Sequence, residues 1–234
     1  MTVRPDIGAD VTDLFNILTG LSRQREFRRL LVAPTGLRDR FLALVDREIE
    51  HATAGRPSGI VLKMNSLLDR ACVEALYRAS TAGVEIDLII RGACTLVPGV
   101  PGLSERIRVR SIVGQFLEHA RIWRFENGAA PEWYIGSADL MDRNLDRRVE
   151  AFVPIDDTEA RAEIDEILRI QLADDRRSWL LSPDGRWQRT ERVTGVPGTI
   201  DAQQLLQERA ALRSQAAAAP HRAHAGLGSL EPWA

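Results

Sequence analysis

The chain has 234 residues and 44% of them are hydrophobic, which suits one ordinary domain or two small ones with a hydrophobic core. The formal net charge of −2 argues against a general nucleic-acid binder, although a local basic face is compatible with it. No stretch reaches the length of a transmembrane helix, and residues 1–10 lack the apolar segment of a signal peptide. We therefore expect a cytoplasmic protein that does not bind nucleic acid.

The first part of the chain predicts helices. Residues 11–31 favour short helical segments, with Asp10 or Thr12 as the N-cap. A second helix is predicted to begin after Gly36 and to end at Gly55. Its apolar residues recur at helical spacing, namely Leu37, Phe41, Leu44, Val45 and Ile49.

A strand–helix–strand unit is predicted next. Residues 60–62 form a short apolar strand, Ser66 caps a helix that runs to about Ala82, and residues 84–91 form the second strand. Because two strands joined by a helix over this distance normally lie parallel, we expect a βαβ unit with a parallel pair of strands.

The second half of the chain predicts mainly strands. They cover residues 107–113, 116–125, 133–138 and 147–155. The dipeptide Asn127-Gly128 is a strong turn signal, so the second and third of these strands form a hairpin. Residues 156–158 open an amphipathic helix, and after about Val193 the sequence becomes alanine-rich and then of low complexity.

Two short blocks in this half carry residues suited to phosphate chemistry. His119 stands two residues before Arg121, and side chains at i and i+2 of an extended strand share one face. An imidazole and a guanidinium on one surface can hold a phosphoryl group, since the first moves protons and the second neutralises oxygen charge. The alternative is a histidine satisfied within the strand. The second block contains Gly136, Ser137 and Asp139 in a G-S-x-D pattern.

These blocks resemble the C-terminal part of polyphosphate kinase, the long-chain bacterial type whose catalytic half has a phospholipase-D-like fold. The resemblance covers about residues 6–189, and four further segments match in the same order: 6–24, 27–34, 61–70 and 88–105. It implies an α/β fold, a phospholipase-D-like mixed sheet with helices packed on its faces. We expect a helical lead-in over 1–35, a catalytic domain over 36–190 and a low-complexity, disordered tail over 191–234.

The resemblance also implies an activity, the reversible transfer of the ATP γ-phosphate to inorganic polyphosphate, with Mg²⁺ accompanying the nucleotide. The partners are then ATP, ADP and polyphosphate. The histidine that the family phosphorylates lies in a T-H-x-K segment, which this sequence lacks. The chain is therefore expected to be the C-terminal portion of a truncated enzyme, inactive alone, and open to complementation by a separate first half and to oligomerisation.

Two other functions stay open. One is a non-catalytic fragment that binds ATP or polyphosphate. The other is a phospholipase-D-like phosphodiesterase, although such sites normally pair two H-x-K motifs and this chain offers one H-x-R at His119 and Arg121.

Site residues follow from the resemblance. His119 is the catalytic candidate, an acid or base that also contacts the nucleotide phosphates. Arg91, at the end of a predicted strand, matches the arginine that contacts the nucleotide, and ligands collect at the carboxyl ends of parallel strands. The alternative is a strand-end arginine in solvent. Arg148 matches an arginine of the polyphosphate channel. Glu150 orients Arg148 through a salt bridge, or the two form a purely structural ion pair.

Lys63 is a further phosphate-binding candidate, because it is the only lysine among 31 basic residues and a compact ammonium cannot always be replaced by a guanidinium. The alternative is a simple charge at the end of a strand. Gln115 stands where the family usually has a basic residue, which removes one anion contact. No metal-binding group is predicted. Three aromatic residues are predicted to lie in the core and not to stack on adenine, namely Trp123, Phe125 and Trp133.

Overall fold

The computed structural model describes residues 4–22 and 26–218, which form one mixed sheet with helices on both faces. The helices are α1 (Pro5–Leu18), α2 (Leu37–Thr53), α3 (Arg70–Thr81), α4 (Thr158–Ala173), α5 (Thr190–Thr194) and α6 (Ala202–Ala218). The strands are β1 (Leu31–Ala33), β2 (Gly59–Met64), β3 (Glu85–Ile90), β4 (Ile107–Ile112), β5 (Arg121–Phe125), β6 (Glu132–Gly136), β7 (Glu150–Ile155), β8 (Ser178–Leu181) and β9 (Trp187–Arg189). Their order across the sheet is β1-β7-β6-β5-β2-β3-β4-β8-β9.

The sheet has a parallel centre and antiparallel flanks. Strand β3 pairs in parallel with both β2 and β4, whereas β5, β6, β7 and β1 continue the sheet in antiparallel pairs on one side. Adjacent residues of β2 pack on opposite faces, since Leu62 joins the cluster with α2 and α3 while Val61 joins the cluster with α4. The predicted α/β class with helices on the sheet faces is confirmed.

Aromatic side chains bind α2 to the centre of the sheet. The Trp123 ring stacks on Phe152 with centroids 3.7 Å apart, and Phe41 of α2 meets Trp123 edge-on at 5.0 Å. Phe125 and Trp133 are buried as well. The prediction that Trp123, Phe125 and Trp133 belong to the core is therefore confirmed.

The predicted βαβ unit is present as β2, α3 and β3, with the two strands parallel. The N-cap of α3 is Asp69, whose carboxylate accepts from the Cys72 N–H at 3.0 Å, and not Ser66 as predicted. The chain stays extended past Ser66 because Leu67 makes bridges to Cys94 and Leu140. These bridges draw three segments together at one edge of the sheet.

The predicted helical lead-in over 1–35 includes residues that are not helical. Residues 31–33 form the edge strand β1, which pairs with β7 so that Val32 faces Ala151. Residues 5–18 form a single helix that starts with Pro5, a residue whose fixed φ suits the first helical turn. The lead-in thus supplies part of the sheet.

Asp10 is not an N-cap but a buried residue in the middle of α1. Its carboxylate accepts from the backbone N–H groups of Arg28, Arg29 and Leu30 at 2.9, 2.6 and 2.9 Å. Burial alone raises the pKa of Asp10, but these hydrogen bonds outweigh it and hold the pKa below its ordinary value. Asp10 therefore fixes the chain where it enters β1.

The predicted disordered tail also begins too early. Residues 190–194 and 202–218 are helical, Ala202 and Gln203 are buried, and the Ala202 N–H donates to Asp174 at 2.7 Å. Composition missed this docking because polar hydrogen bonds, and not an apolar stripe, hold the start of α6. The remainder of the predicted tail, 219–234, lies outside the described residues.

The predicted hairpin is confirmed, with Trp123 of β5 opposite Tyr134 of β6 and a tight turn over Asn127–Ala129. Strand β5 begins at Arg121 and not at residue 116 as predicted, because residues 113–120 form a loop between β4 and β5. Within residues 4–22 and 26–218, no helix combines the length and the apolar character needed to cross a membrane.

Candidate functional site

One edge of the sheet gathers the ends of several strands. Strands β2 and β3 end there, and the antiparallel strands β5 and β7 begin there, so residues distant in the sequence meet. A cavity of about 440 Å³ opens at this edge. Its lining residues are Asn65, Arg91, His119, Arg121, Gly136, Ser137, Asp139, Arg143, Asn144, Arg148 and Glu150.

The charge balance of this cavity favours an anion. Four of its lining residues are arginines and two are acids, and both acids are engaged by neighbouring side chains. Arg91 and Arg143 have no carboxylate partner among the residues that the structure describes. Arg91 donates from Nε to the Asn65 side-chain oxygen at 2.8 Å, which orients its guanidinium. The two Nη groups of Arg91 remain for a ligand.

His119 and Arg121 lie in contact, as predicted. The Arg121 Nη1 atom lies 2.6 Å from His119 Nδ1 and also donates to the His119 carbonyl oxygen at 2.6 Å. His119 lies on the loop, however, and not on the strand, and its residue is exposed whereas Arg121 is buried. Arg121 Nη2 also lies 3.2 Å from His119 Nε2, so the guanidinium faces both ring nitrogens. Because a guanidinium can only donate, these contacts fix the position of the imidazole, which is exposed and lines the cavity.

Asp139 anchors Arg121. The guanidinium contacts both carboxylate oxygens, with Nη2–Oδ2 at 3.0 Å and Nε–Oδ1 at 3.2 Å. The Asn65 backbone N–H donates to the same carboxylate at 2.8 Å. A charge pair in this forked geometry joins the start of β5, the segment after β6 and the end of β2.

Gly136 is required by the close approach of β6 and β7 beside the cavity. A Cβ atom there would lie 2.4 Å from Cγ of Phe152 and 2.6 Å from the Ala151 carbonyl oxygen. Neither the buried Phe152 ring nor the Ala151 backbone can move away without disturbing the packing of the sheet, so the position admits only glycine. This explains the glycine of the G-S-x-D pattern as a packing requirement.

Arg148 and Glu150 form the predicted salt bridge, with Arg148 Nε 3.3 Å from a Glu150 carboxylate oxygen. Glu150 is buried and also accepts from the Asn144 amide at 2.7 Å, whereas the Arg148 side chain is 56% exposed. Arg148 precedes β7, which begins at Glu150, three residues after the predicted start at residue 147. Glu150 therefore orients an arginine whose charged end stays accessible.

Lys63 does not lie where a phosphate-facing residue would. Its ammonium is buried and pairs with the Glu118 carboxylate at 2.5 Å, and Lys63 is absent from the cavity lining. This placement does not fit the predicted direct contact with phosphate, because Glu118 already neutralises the charge of the Lys63 ammonium. Gln115 lies exposed on the same loop.

Two lining residues were missed by the sequence reasoning. Asn65 follows β2 in the way that Arg91 follows β3, so the rule that places Arg91 at the site also predicts Asn65. Arg143 lies between Asp139 and Arg148 in a segment without regular strand pattern, and nothing in its spacing distinguishes it. The described part of the chain contains no group of three or more His, Cys, Asp or Glu residues that could hold a metal ion.

A second arginine-rich cavity, of about 230 Å³, lies at the opposite edge of the sheet, where β6 begins and β7 ends. Its arginines are mostly neutralised: Arg28 pairs with Asp10 and Asp13, and Arg47 pairs with Glu132 at 3.0 Å. This cavity is therefore an ion-pair network that fastens α1 and α2 to the sheet. Of its five arginines only Arg40 has no carboxylate partner within the described residues, against two of four in the first cavity.

Comparison with known proteins identifies the family. The family described as Polyphosphate kinase C-terminal domain 2 matches residues 30–203. The chain belongs to this polyphosphate kinase family. A polyphosphate kinase of Thermosynechococcus vestitus is 57% identical over 192 residues, and one of Streptomyces coelicolor is 53% identical over 198 residues. These matches cover 82% and 85% of this chain.

The solved polyphosphate kinase of Porphyromonas gingivalis has the same fold. It matches 92% of this chain with 41% identity and a TM-score of 0.85. This match confirms the predicted fold class and the recognised family. The chain spans about a quarter of the length of the curated polyphosphate kinases, 26% of each of the two named, and 33% of the solved one.

Proposed function

We propose that the cavity at the carboxyl ends of β2 and β3 binds the phosphates of ATP and polyphosphate, and that the chain takes part in reversible transfer of the ATP γ-phosphate to inorganic polyphosphate. The observation that carries the proposal is the cavity itself, in which His119 stands among arginines while the local carboxylates are internally paired. Family membership supports the substrate class, and the arginines around His119 support the location of the site.

Arginine fits this role for a chemical reason. A guanidinium can bind two phosphate oxygens at once, and it stays charged at every working pH. Phosphoryl transfer needs mainly charge neutralisation and in-line positioning, because little covalent work falls to the protein. Arg91 and Arg143, which have no carboxylate partner in the described segments, are the first contacts in this proposal, and Arg148 extends the basic surface toward β7.

Mg²⁺ enters this proposal only with the nucleotide. Asp139 and Glu150 are the two carboxylates of the cavity, and each already pairs with an arginine. Neither is free to act as a strong metal ligand. The phosphate oxygens of ATP would carry the ion, which neutralises charge between them.

His119 is assigned the movement of a proton at the transferring phosphate. A phosphohistidine route, which the family resemblance implies, needs a second imidazole as the nucleophile. Among the described residues the second histidine is His51, which packs against Asn127 and Gly128 at the far edge of the sheet. Because the sequence also contains no T-H-x-K segment, we propose that a separate first half contributes the nucleophile.

The purified chain, incubated with labelled ATP and a polyphosphate primer, is expected to form no polymer and to accumulate no acid-labile phosphate on His119, because the sequence contains no T-H-x-K segment. It is expected to bind tripolyphosphate weakly, with an affinity that falls as salt rises. A full-length polyphosphate kinase serves as the positive control. Polymer formation by the chain alone contradicts the half-site proposal, and hydrolysis of a phosphodiester supports the phosphodiesterase alternative.

A further inference from the structure

The residue directly before His119 is tied to three separate elements. The Glu118 carboxylate accepts from Lys63 Nζ of β2 at 2.5 Å, from Gln171 Nε2 of α4 at 2.5 Å and from Gln203 Nε2 of α6 at 3.0 Å. Burial alone raises the pKa of Glu118, but the Lys63 ammonium and these hydrogen bonds outweigh it and keep the pKa below its ordinary value. Glu118 is thus an ionised junction under the His119 loop.

Gln203 also binds the backbone of that loop. Its side-chain oxygen accepts from the Phe116 N–H at 2.8 Å, and its side-chain nitrogen donates to the Phe116 carbonyl oxygen at 2.8 Å. The amide thus pairs with the N–H and the C=O of one residue, as an opposite residue does in a hydrogen-bonded antiparallel strand pair. Gly114 allows the approach, since a Cβ atom there would lie 2.3 Å from the Gln203 side-chain oxygen.

Apolar packing does not hold this loop. Val113, Phe116 and Leu117 are 60%, 52% and 73% exposed, so the loop buries little hydrophobic surface of its own. Besides the Arg121 bonds to His119 and the Val113 N–H bond to the Arg177 carbonyl oxygen, the loop is held by the polar bonds to Gln203 and through Glu118. A loop with so few apolar contacts opens easily once such bonds are removed.

We propose that Gln203 is a positioning residue that, together with Lys63, holds Glu118 and Phe116 and thereby fixes His119 against Arg121 at the phosphate site. The part of this inference that concerns phosphate rests on the proposed function. Helix α6 then acts as a clamp on the His119 loop from the side of the sheet on which α4 packs.

The network also gives a reason for a lysine at position 63. The Lys63 ammonium and the Gln171 amide both lie 2.5 Å from the same oxygen of Glu118. A compact ammonium leaves room for the amide, whereas a guanidinium occupies a planar fork and would displace it. Lys63 thus serves the site through Glu118 and not by contact with phosphate.

The test compares the intact chain with Gln203→Ala and with Gly114→Ala, whose added methyl group pushes the Gln203 amide off the loop. Gln204→Ala is the matched control, because Gln204 is exposed on the same helix and its side-chain amide donates to Glu208 and not to the loop. Hydrogen exchange of residues 114–119 and the ring NMR signals of His119 report on the loop. Calorimetry with tripolyphosphate reports on the site, and thermal unfolding verifies that each variant is folded.

Both test variants are expected to lose nearly all exchange protection at Phe116, to show shifted His119 ring signals and to bind tripolyphosphate about tenfold more weakly, as when only about a tenth of the molecules hold the loop in place. Gln204→Ala is expected to match the intact chain. Unchanged exchange and unchanged His119 signals in the two folded variants overturn the clamp. If the intact chain does not bind tripolyphosphate, the proposed function fails, and the exchange and NMR data still decide the clamp.

Discussion

Replacing Asp139 by alanine is expected to lower the free energy of unfolding by about 3–5 kcal/mol, the cost of leaving one member of a buried charge pair without its partner. The Arg121 and Asp139 side chains are 6% and 10% exposed, so water cannot take over the lost contacts. The substitution also removes the acceptor of the Asn65 N–H at 2.8 Å. Urea unfolding, followed by circular dichroism, measures the change.

Asp142→Ala is the matched control for this experiment. Asp142 lies three residues away, is exposed, and caps the following turn without a side-chain hydrogen bond. Its replacement is expected to change the free energy of unfolding by no more than about 0.5 kcal/mol. A cost below about 1 kcal/mol for Asp139→Ala would show that the pair does not anchor the start of β5 as described.

Replacing Arg91 by alanine is expected to weaken tripolyphosphate or ATP binding about tenfold or more. A charge-assisted hydrogen bond contributes about 1.5–3 kcal/mol, and the guanidinium offers a forked contact from a side chain that Asn65 already orients. The fold is expected to be unaffected, because Arg91 is exposed at the end of β3. Isothermal titration calorimetry at two salt concentrations measures the affinity and its salt dependence.

Arg78→Ala removes the same charge at the other end of the neighbouring helix, where Arg78 pairs with Asp46 on the surface. Its effect on affinity is expected to be small, since exposed charges beyond a Debye length are screened. Equal losses in the two variants would mean that net charge, and not the placement of Arg91, governs binding. Binding indifferent to salt would show that the contacts are not ionic.

Local patterns in the sequence predicted much of the frame that carries the site. Apolar runs placed β2 and β3, and the glycines at 36 and 55 bounded α2. The rule that ligands collect at the carboxyl ends of parallel strands predicted Arg91 at the site, and Arg91 lines the cavity. His119 lies beside Arg121 as expected, but from a loop and not through the alternation of a strand.

The sequence failed where long-range polar contacts decide the structure. The helix that carries Gln203 reads as an alanine-rich tail, because the amide bonds that dock it are made to a loop nearly ninety residues earlier. Lys63 was assigned to phosphate since its partner Glu118 is invisible to local spacing. Strand β1 was missed because three residues carry too little pattern to distinguish an edge strand from a loop.

The most direct test of the phosphate site is NMR mapping of tripolyphosphate on the isotopically labelled chain. The backbone and side-chain signals of Arg91, His119, Arg143 and Arg148 are predicted to shift together and to saturate with one affinity, because these residues line one cavity. Shifts centred instead on the arginines of α2, at the opposite edge of the sheet, or no saturable shifts at any residue, would contradict the assignment of this cavity as the phosphate site.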